Sequence, residues 1–234
     1  MGVWFSGGRN MKLGGIDEAG RGPVVGPLVI AAVVIDESKI EKFEALGVKD
    51  SKKLSPKKRE ELFEKIIELV DDYFILELSP EDIDKREGTM NDFEVENFAK
   101  VLNSLKIKPD LVYIDAADVN EERFGIVVRE KLSFYPKIIA EHKADSKYIP
   151  VAAASILAKV TRDKAIERLK EIYGNIGSGY PSDPITRKFL EEYYKEHGSF
   201  PPVVRRSWKT LKKIEEKLQK EKNQSNLLNF LKKS

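Results

Sequence analysis

The chain has 234 residues, of which 41% are hydrophobic and 34% charged, with a formal net charge of +2. This length and composition suit a globular protein with a sizeable core and exclude an intrinsically disordered chain. The lack of cysteine excludes disulfide frameworks, zinc–thiolate sites and cysteine nucleophiles. No apolar run reaches transmembrane length and no signal-peptide pattern is seen at the N-terminus, so we expect a cytoplasmic protein without membrane contact.

The first ten residues are Gly-rich and lack periodicity, and we interpret residues 1–10 as an expression remnant or an over-long start. Beyond them, apolar runs and alternating patterns predict strands, while Ser-Pro pairs and a capping Thr predict helix starts. The elements expected in the first half are strands over 12–17 and 27–36, a helix over 56–70, a strand over 73–78, a short helix from 80 and a longer helix over 89–105.

In the second half, strands alternate with helices. The expected elements are a strand over 111–115, a helix over 121–131, a strand over 137–140, an Ala-rich helix over 149–173, a Gly/Pro loop over 174–184, and helices over 184–197 and 207–222. Three strands followed by alternating elements predict an α/β architecture, with a mixed sheet and helices on its faces. The helices after about residue 174 are expected to form a small C-terminal helical subdomain.

Charge is unevenly distributed along the chain. Residues 11–204 carry 30 Lys and Arg against 36 Asp and Glu, whereas residues 205–234 carry ten against three. An acidic body with a basic end fits a cation-binding site combined with an arm that meets phosphate. A solvated charged helix explains the basic end equally well.

Four acidic residues are the main candidates for a functional site. Asp17 and Glu18 are followed by three glycines within eight residues, Asp115 ends a strand, and Asp145 follows the strand over 137–140. Ligands gather at the carboxyl ends of strands in open α/β sheets, so these side chains can meet if their strands are neighbours. Asp17 and Glu18 share a pocket only if their strand ends or bends there, because neighbouring residues in a strand point to opposite faces. Taken singly, Asp115 and Asp145 are better explained as ordinary turn or capping residues.

Converging carboxylates repel one another unless a cation neutralises them, and Mg²⁺ prefers oxygen ligands. The four acids therefore point to metal-assisted chemistry on an anionic substrate such as a phosphodiester.

Six segments in order along the chain resemble the motifs of type 2 ribonuclease H, most closely its archaeal branch. They are 17–23 (Asp-Glu-Ala-Gly-Arg-Gly-Pro), 50–54 (Asp-Ser-Lys-Lys-Leu), 113–115 (Tyr-Ile-Asp), 142–147 (His-Lys-Ala-Asp-Ser-Lys), 152–159 (Ala-Ala-Ala-Ser-Ile-Leu-Ala-Lys) and 178–183 (Ser-Gly-Tyr-Pro-Ser-Asp). The resemblance implies a ribonuclease H-like fold with a mixed five-stranded sheet flanked by helices. We accordingly expect a catalytic domain over 11–173, a helical subdomain over 174–222 and a flexible tail over 223–234.

The resemblance also implies an activity: endonucleolytic cleavage of RNA in RNA/DNA hybrids, and cleavage 5′ of ribonucleotides embedded in duplex DNA, as in DNA replication and repair. The family's four carboxylates correspond to Asp17, Glu18, Asp115 and Asp145. They would hold two divalent ions, Mg²⁺ or Mn²⁺, and a two-metal mechanism would leave 5′-phosphate and 3′-hydroxyl ends. We expect a monomer.

For substrate contacts, the resemblance assigns Gly20, Arg21 and Gly22 to the ribose 2′-hydroxyl and Tyr180 to the sugar next to the cut. Lys52 and Lys147 lie inside family motifs and are candidates for phosphate contacts. Without the resemblance, these residues are better explained as a tight turn, a packing tyrosine and solvated lysines.

Residues 224–231 resemble the short peptide by which replication and repair enzymes dock onto a sliding clamp. Gln224, Leu227, Phe230 and Leu231 occupy its key positions, although the last is usually aromatic. Apolar anchors on a short amphipathic turn suit a partner's groove, but so short a motif also arises by chance.

Two other functions stay open. A DNA junction nuclease on the same fold would use the same acids, although the Gly-Arg-Gly tripeptide and Tyr180 favour ribose recognition. A non-catalytic nucleic-acid-binding clamp adaptor would use the basic end and the clamp peptide, but it would not need four converging acids.

Overall fold

The computed structural model describes residues 9–231, apart from the side chains of residues 50–52 and 225–231. Residues 1–8, most of the segment interpreted as an expression remnant, therefore lie outside the described residues. Within the described part of the chain, no helix combines the length and apolar character needed to cross a membrane.

The strands and helices expected from the sequence form, together with two short helices, over residues 40–45 and 144–147, that were not predicted. In chain order they are β1 (Lys12–Ala19), β2 (Leu28–Asp36), α1 (Ile40–Ala45), α2 (Pro56–Leu69), β3 (Asp72–Leu78), α3 (Pro80–Asp84), α4 (Met90–Ser104), β4 (Leu111–Asp115), α5 (Glu121–Glu130), β5 (Lys137–Glu141), α6 (Ala144–Lys147), α7 (Ile149–Tyr173), α8 (Pro184–His197) and α9 (Lys209–Leu231). Local capping explains several boundaries: Ser55 caps α2 ahead of Pro56, and Thr89 and Asp92 form a capping box at the start of α4.

The strands form one mixed five-stranded sheet in the order β3-β2-β1-β4-β5, which confirms the predicted architecture. β1 pairs antiparallel with β2 and parallel with β4, and β4 pairs parallel with β5. The register sets Ile16 opposite Ile114 and Asp115 opposite Glu141. The carboxyl ends of β1, β4 and β5 therefore lie at the same edge of the sheet.

β2 is buried from Leu28 to Ile35, as its continuous apolar run predicts. Its side chains at Val29, Ala31, Val33 and Ile35 pack in one cluster with α2 and with the Ala-rich start of α7. Each fully buried Val or Ile contributes about 1.5–3 kcal/mol relative to an exposed position. Small side chains on α7 allow the helix to approach the sheet closely.

The closest approach is at Gly15. A Cβ atom at this position would lie 2.1 Å from the carbonyl carbon of Pro150 in α7. The backbones of β1 and α7 therefore touch two residues before Asp17, and a side chain at position 15 would force them apart.

The chain forms two compact units. The first comprises residues up to Ala19, Val29–Glu77 and Glu87–Arg162; the second comprises Gly20–Leu28, Leu78–Arg86 and the residues from Asp163 onward. The core of the second unit joins α8, α9 and the latter part of α7 to Val24 and Val25. This unit thus includes segments outside residues 174–222, a long-range association that local periodicity does not reveal.

The last helix is longer than expected. Its backbone continues past the predicted end near residue 222 to Leu231. Neither Gly nor Pro occurs between residues 209 and 231, so the sequence has no strong helix terminator there.

Candidate active site

Asp17 and Asp115 lie at the carboxyl ends of two neighbouring parallel strands. Asp17 follows Ile16 in β1, and Asp115 follows Ile114 in β4, where Ile16 and Ile114 are register partners. Asp17 is buried and Asp115 half-buried. Parallel pairing in this register therefore sets the two carboxylates at equivalent positions on adjacent strands.

Asp145 comes from the turn after β5, the next strand of the sheet. Lys143 in this turn has a left-handed φ of 55°, which is uncommon for a residue with a side chain. The chain then enters the short helix α6, in which Asp145 is only 8% exposed. The turn thus directs a third carboxylate inward from the end of β5.

The three aspartates converge in space. One carboxylate oxygen from each of Asp17, Asp115 and Asp145 lies within 4.8 Å of the others, as the order of β1, β4 and β5 predicts. Two of the three residues are buried. Three aspartates that are about 100 and 30 residues apart in the sequence thus form a single acidic pocket within the first unit.

Electrostatics in this pocket are unfavourable for three bare anions. Burial raises the pKa of Asp17 from its ordinary value of 3.8 to about 7, and the negative charge of Asp115 contributes to the shift, as does that of Asp145 to a smaller extent. Hydrogen bonds from the Ser155 side chain and the Glu18 backbone N–H oppose this rise in pKa. The Glu18 N–H donates to Oδ1 of Asp17 at 2.7 Å.

Ser155 is a site residue whose role the sequence analysis did not recognise. It lies in α7 within the run Ala152–Ala158, where it is the polar residue among apolar ones. A single polar residue within an otherwise buried apolar stretch of α7 was the available signal, since a hydroxyl in such surroundings favours a hydrogen-bond partner.

The donor set fits a divalent cation. Three anionic oxygens at close range are the ligands of a hard cation, and its charge would relieve the repulsion that raises the pKa of Asp17. The buried acidic cluster could therefore hold a metal ion.

Glu18 is not a member of the three-residue group found among the described residues. β1 remains regular to Ala19, and Glu18 pairs with Ile30 of β2 rather than sitting in a distorted strand end. Regular alternation sends the side chains of Asp17 and Glu18 toward opposite faces of the sheet. β1 ends at Ala19, one residue beyond Glu18, and a place for Glu18 in this pocket stays a prediction.

Of the two lysines predicted to contact phosphate, Lys147 forms an ion pair with Glu141. Lys147 lowers the pKa of Glu141, and the Tyr148 hydroxyl, which donates to Glu141 Oε1 at 3.0 Å, adds to the effect. The Tyr148 ring stacks on Tyr113 with centroids 4.0 Å apart. The side chain of Lys52 lies outside the described residues.

In the second unit, the structure brings Gly22 and Tyr180 together. A Cβ at Gly22 would lie 3.6 Å from Cε1 of Tyr180, so the ring packs over this glycine. The carbonyl oxygen of Gly179 accepts hydrogen bonds from the backbone N–H groups of Val24 and Val25 at 2.8 and 3.2 Å. Gly20 has a φ of 89°, which its lack of a Cβ permits. Tyr180 is 42% exposed and so accessible to a ligand.

The predicted clamp-binding peptide lies at the end of α9. Gln224 is exposed, whereas the side chains of Leu227, Phe230 and Leu231 lie outside the described residues.

Comparison with known proteins adds independent observations. Residues 14–211 match the family model described as Ribonuclease HII. The ribonuclease HII of Thermococcus onnurineus is 73% identical over 211 residues, which cover 90% of this chain and 93% of that protein.

Two solved structures are similar to this chain in both sequence and fold. The ribonuclease H2 from Pyrococcus horikoshii OT3 matches with a TM-score of 0.87 and 57% identity, over 90% of this chain and 100% of that one. The ribonuclease HII in a complex with PCNA from Archaeoglobus fulgidus matches with a TM-score of 0.77 and 46% identity, over 86% and 96% of the two chains. Sequence, fold and family match together show that this chain belongs to the ribonuclease HII family and is a ribonuclease H enzyme.

Proposed function

We propose that this enzyme hydrolyses the RNA strand of RNA/DNA hybrids and cuts duplex DNA on the 5′ side of embedded ribonucleotides. The observation that carries the proposal is the convergence of Asp17, Asp115 and Asp145 in a buried pocket of a ribonuclease HII fold. The expected products carry 5′-phosphate and 3′-hydroxyl ends.

The pocket's oxygen donors favour Mg²⁺ or Mn²⁺, and we propose two ions. Asp17, Asp115 and Asp145 would hold them, and Glu18 would complete the set, which requires the end of β1 to bend so that both neighbouring side chains face the pocket. Bound divalent ions supply an activated water at neutral pH and neutralise charge on the scissile phosphate. Asp17 must give up its proton to act as a ligand, and the hydrogen bond from Ser155 favours its charged form.

Ribose recognition is assigned to Gly20, Arg21, Gly22 and Tyr180. Discrimination of RNA from DNA requires a contact to the 2′-hydroxyl, which both donates and accepts. Backbone groups of a Gly-flanked tripeptide can approach a sugar closely, and the packing of Tyr180 over Gly22 sets an aromatic ring beside them.

Phosphate contacts elsewhere on the duplex are assigned to Lys52 and Lys147. Because such contacts position the duplex without reading sequence, each contributes modestly and in a salt-dependent manner. Lys147 would exchange its ion pair with Glu141 for a phosphate oxygen, a small change for an exposed pair.

We further propose a sliding clamp as partner, bound through Gln224, Leu227, Phe230 and Leu231. The Archaeoglobus fulgidus relative was solved in a complex with PCNA, and the peptide lies at the end of a charged helix, where its apolar anchors can enter a partner's groove.

The decisive experiment compares three duplexes: one with a single embedded ribonucleotide, one all-DNA, and one all-DNA four-way junction. We expect cleavage 5′ of the ribonucleotide only, dependent on added Mg²⁺ or Mn²⁺ and abolished by chelator. Equal cleavage of the all-DNA duplex would reject ribose selectivity, preferential cleavage of the junction would favour a DNA junction nuclease, and binding without cleavage would favour an adaptor.

A further inference from the structure

Arg205 is a fully buried charged side chain in the second unit, with no solvent-exposed surface. Its guanidinium donates hydrogen bonds to the backbone carbonyl oxygens of Gly20, of Arg21 at 2.8 Å and of Gly26 at 3.0 and 3.1 Å. Burying a guanidinium is costly unless its donors are satisfied, so this fork of bonds is needed to hold the charge inside the protein.

Trp208 extends the same set of contacts. Its indole Nε1–H donates to the carbonyl oxygen of Gly22 at 3.1 Å. The ring lies against the guanidinium of Arg205, with Cζ 4.9 Å from the ring centroid, and against that of Arg86 at 5.8 Å. Arg205 and Trp208 together thus bind the carbonyl oxygens of all three residues of the Gly-Arg-Gly tripeptide.

These contacts exceed what the local fold requires. Backbone bonds already join the two segments: Arg205 N–H donates to Val24 O at 2.9 Å, and Gly26 N–H donates to Val203 O at 2.9 Å. The side chains reach beyond this pairing to the tripeptide itself. A lysine would keep the charge, but its three donors share one nitrogen and cannot span the three carbonyl groups that the planar guanidinium fork reaches.

The orientation of the carbonyl groups sets the orientation of the amides. In a trans peptide the C=O and the next residue's N–H point in opposite directions. When the carbonyls of Gly20 and Arg21 face Arg205, the N–H groups of Arg21 and Gly22 face away from it. A positive charge behind these peptides also polarises them, which strengthens the outward N–H groups as donors.

We propose that Arg205 and Trp208 are positioning residues for ribose selectivity: they fix the tripeptide so that its outward N–H groups meet the ribose 2′-hydroxyl or the adjoining phosphate. This inference rests on the proposed function, which assigns ribose recognition to Gly20, Arg21 and Gly22. Neither residue was singled out for such a role by the sequence, although both lie in the run Arg205-Arg206-Ser207-Trp208.

The test measures ribose selectivity rather than activity alone. In an Asp115→Asn background, which is expected to prevent turnover, the affinity for a duplex with one ribonucleotide is compared with that for the all-DNA duplex by fluorescence anisotropy. Arg205→Lys and Trp208→Phe are expected to lower this affinity ratio about tenfold, the loss of roughly one hydrogen bond's contribution. Mn²⁺ affinity of the same variants should not change, because the metal-binding carboxylates belong to the first unit.

Two controls separate positioning from general stability. Ile214→Ala removes buried side-chain volume from the core of the same unit, so it should lower the melting temperature without changing the affinity ratio. Arg206→Lys alters the exposed neighbouring arginine and should also leave the ratio unchanged.

The outcomes distinguish this inference from the function on which it rests. A wild-type ratio near one would reject ribose recognition and the positioning role together. A wild-type ratio well above one that survives in Trp208→Phe, or in folded Arg205→Lys, would overturn the positioning role alone. An equal fall of the ratio in Ile214→Ala would also overturn it, since the effect would then follow stability.

Discussion

Asp17 and Asp115 occupy equivalent positions on the parallel strands β1 and β4, one residue beyond the register pair Ile16 and Ile114. Burial of Asp17 and the proximity of the Asp115 charge raise the pKa of Asp17 to about 7. Two acids brought together in this way destabilise the metal-free protein at neutral pH, and the same arrangement favours cation binding. Folding stability and the proposed cofactor are therefore coupled at one pocket.

Asp17→Asn should stabilise the metal-free protein at alkaline pH. The folded-state pKa of Asp17 lies above its ordinary value of 3.8, so the folded state alone binds this proton between about pH 4 and 7. Protonation of Asp17 therefore favours the folded state, and this contribution to the free energy of unfolding is lost as the pH rises through that window. At pH 8 in chelator we expect the variant to exceed the wild type by at most about 4 kcal/mol, with no difference near pH 4, in denaturant titrations. A wild type that is the more stable of the two at pH 8 would contradict this.

Asp115→Asn should abolish turnover while duplex binding largely survives. The substitution keeps the side-chain shape but removes one anionic ligand, and the expected loss in the cleavage rate is about 10³-fold or more. Single-turnover cleavage and anisotropy measure the two properties separately. Asp118→Asn, a nearby acid outside the converging group, serves as the control; retained activity in Asp115→Asn would remove Asp115 from the site.

Ser155→Ala should weaken divalent-metal binding. Loss of the hydroxyl that hydrogen-bonds Asp17 removes an influence that lowers its pKa, so a larger fraction of Asp17 stays protonated at pH 7. We expect Mn²⁺ affinity to fall about tenfold at pH 7 and to recover by pH 9, as measured by calorimetry. Ser104→Ala, which removes a hydroxyl bonded to Lys100 O on α4, should bind Mn²⁺ as the wild type does.

Gly15→Ala should destabilise the first unit and impair cleavage. The new Cβ would lie 2.1 Å from the backbone of Pro150, and neither β1 nor the start of α7 can move without disturbing Asp17 or Ser155. We expect a loss of about 3 kcal/mol in the free energy of unfolding. Gly47→Ala provides the comparison: its Cβ meets nothing within 4 Å, and the strain of a φ of 74° should cost only about 1 kcal/mol.

Alanine at both Gln224 and Phe230 should weaken binding to a sliding clamp by at least about tenfold and leave cleavage of a short ribonucleotide-containing duplex unchanged. Removal of an anchor from a short peptide costs affinity, whereas the carboxylate pocket is unaffected. Surface plasmon resonance against an archaeal PCNA gives the affinity. Alanine at Ser225 and Asn229, which are not motif positions, is the matched control, and equal loss in both double variants would discard the proposed anchors.

Local sequence patterns determined the strands and the longer helices of this protein and their order along the chain, but not the short helices α1 and α6. Alternation, apolar runs and caps such as Ser55 and Thr89 act over a few residues, so they can be read without the fold. The resemblance of six short motifs to one family also marked Asp17, Asp115 and Asp145 before any spatial information was available.

Only the tertiary structure decided which of the predicted site residues lie together and which other residues hold them in place. The register of β1, β4 and β5 brings three aspartates together, while the continued regularity of β1 leaves Glu18 outside that group. Arg205 reaches Gly20 across 185 residues of chain. Such contacts depend on long-range strand pairing and on burial, and neither leaves a periodic signature in the neighbouring sequence, because the physical partner of each residue is distant along the chain.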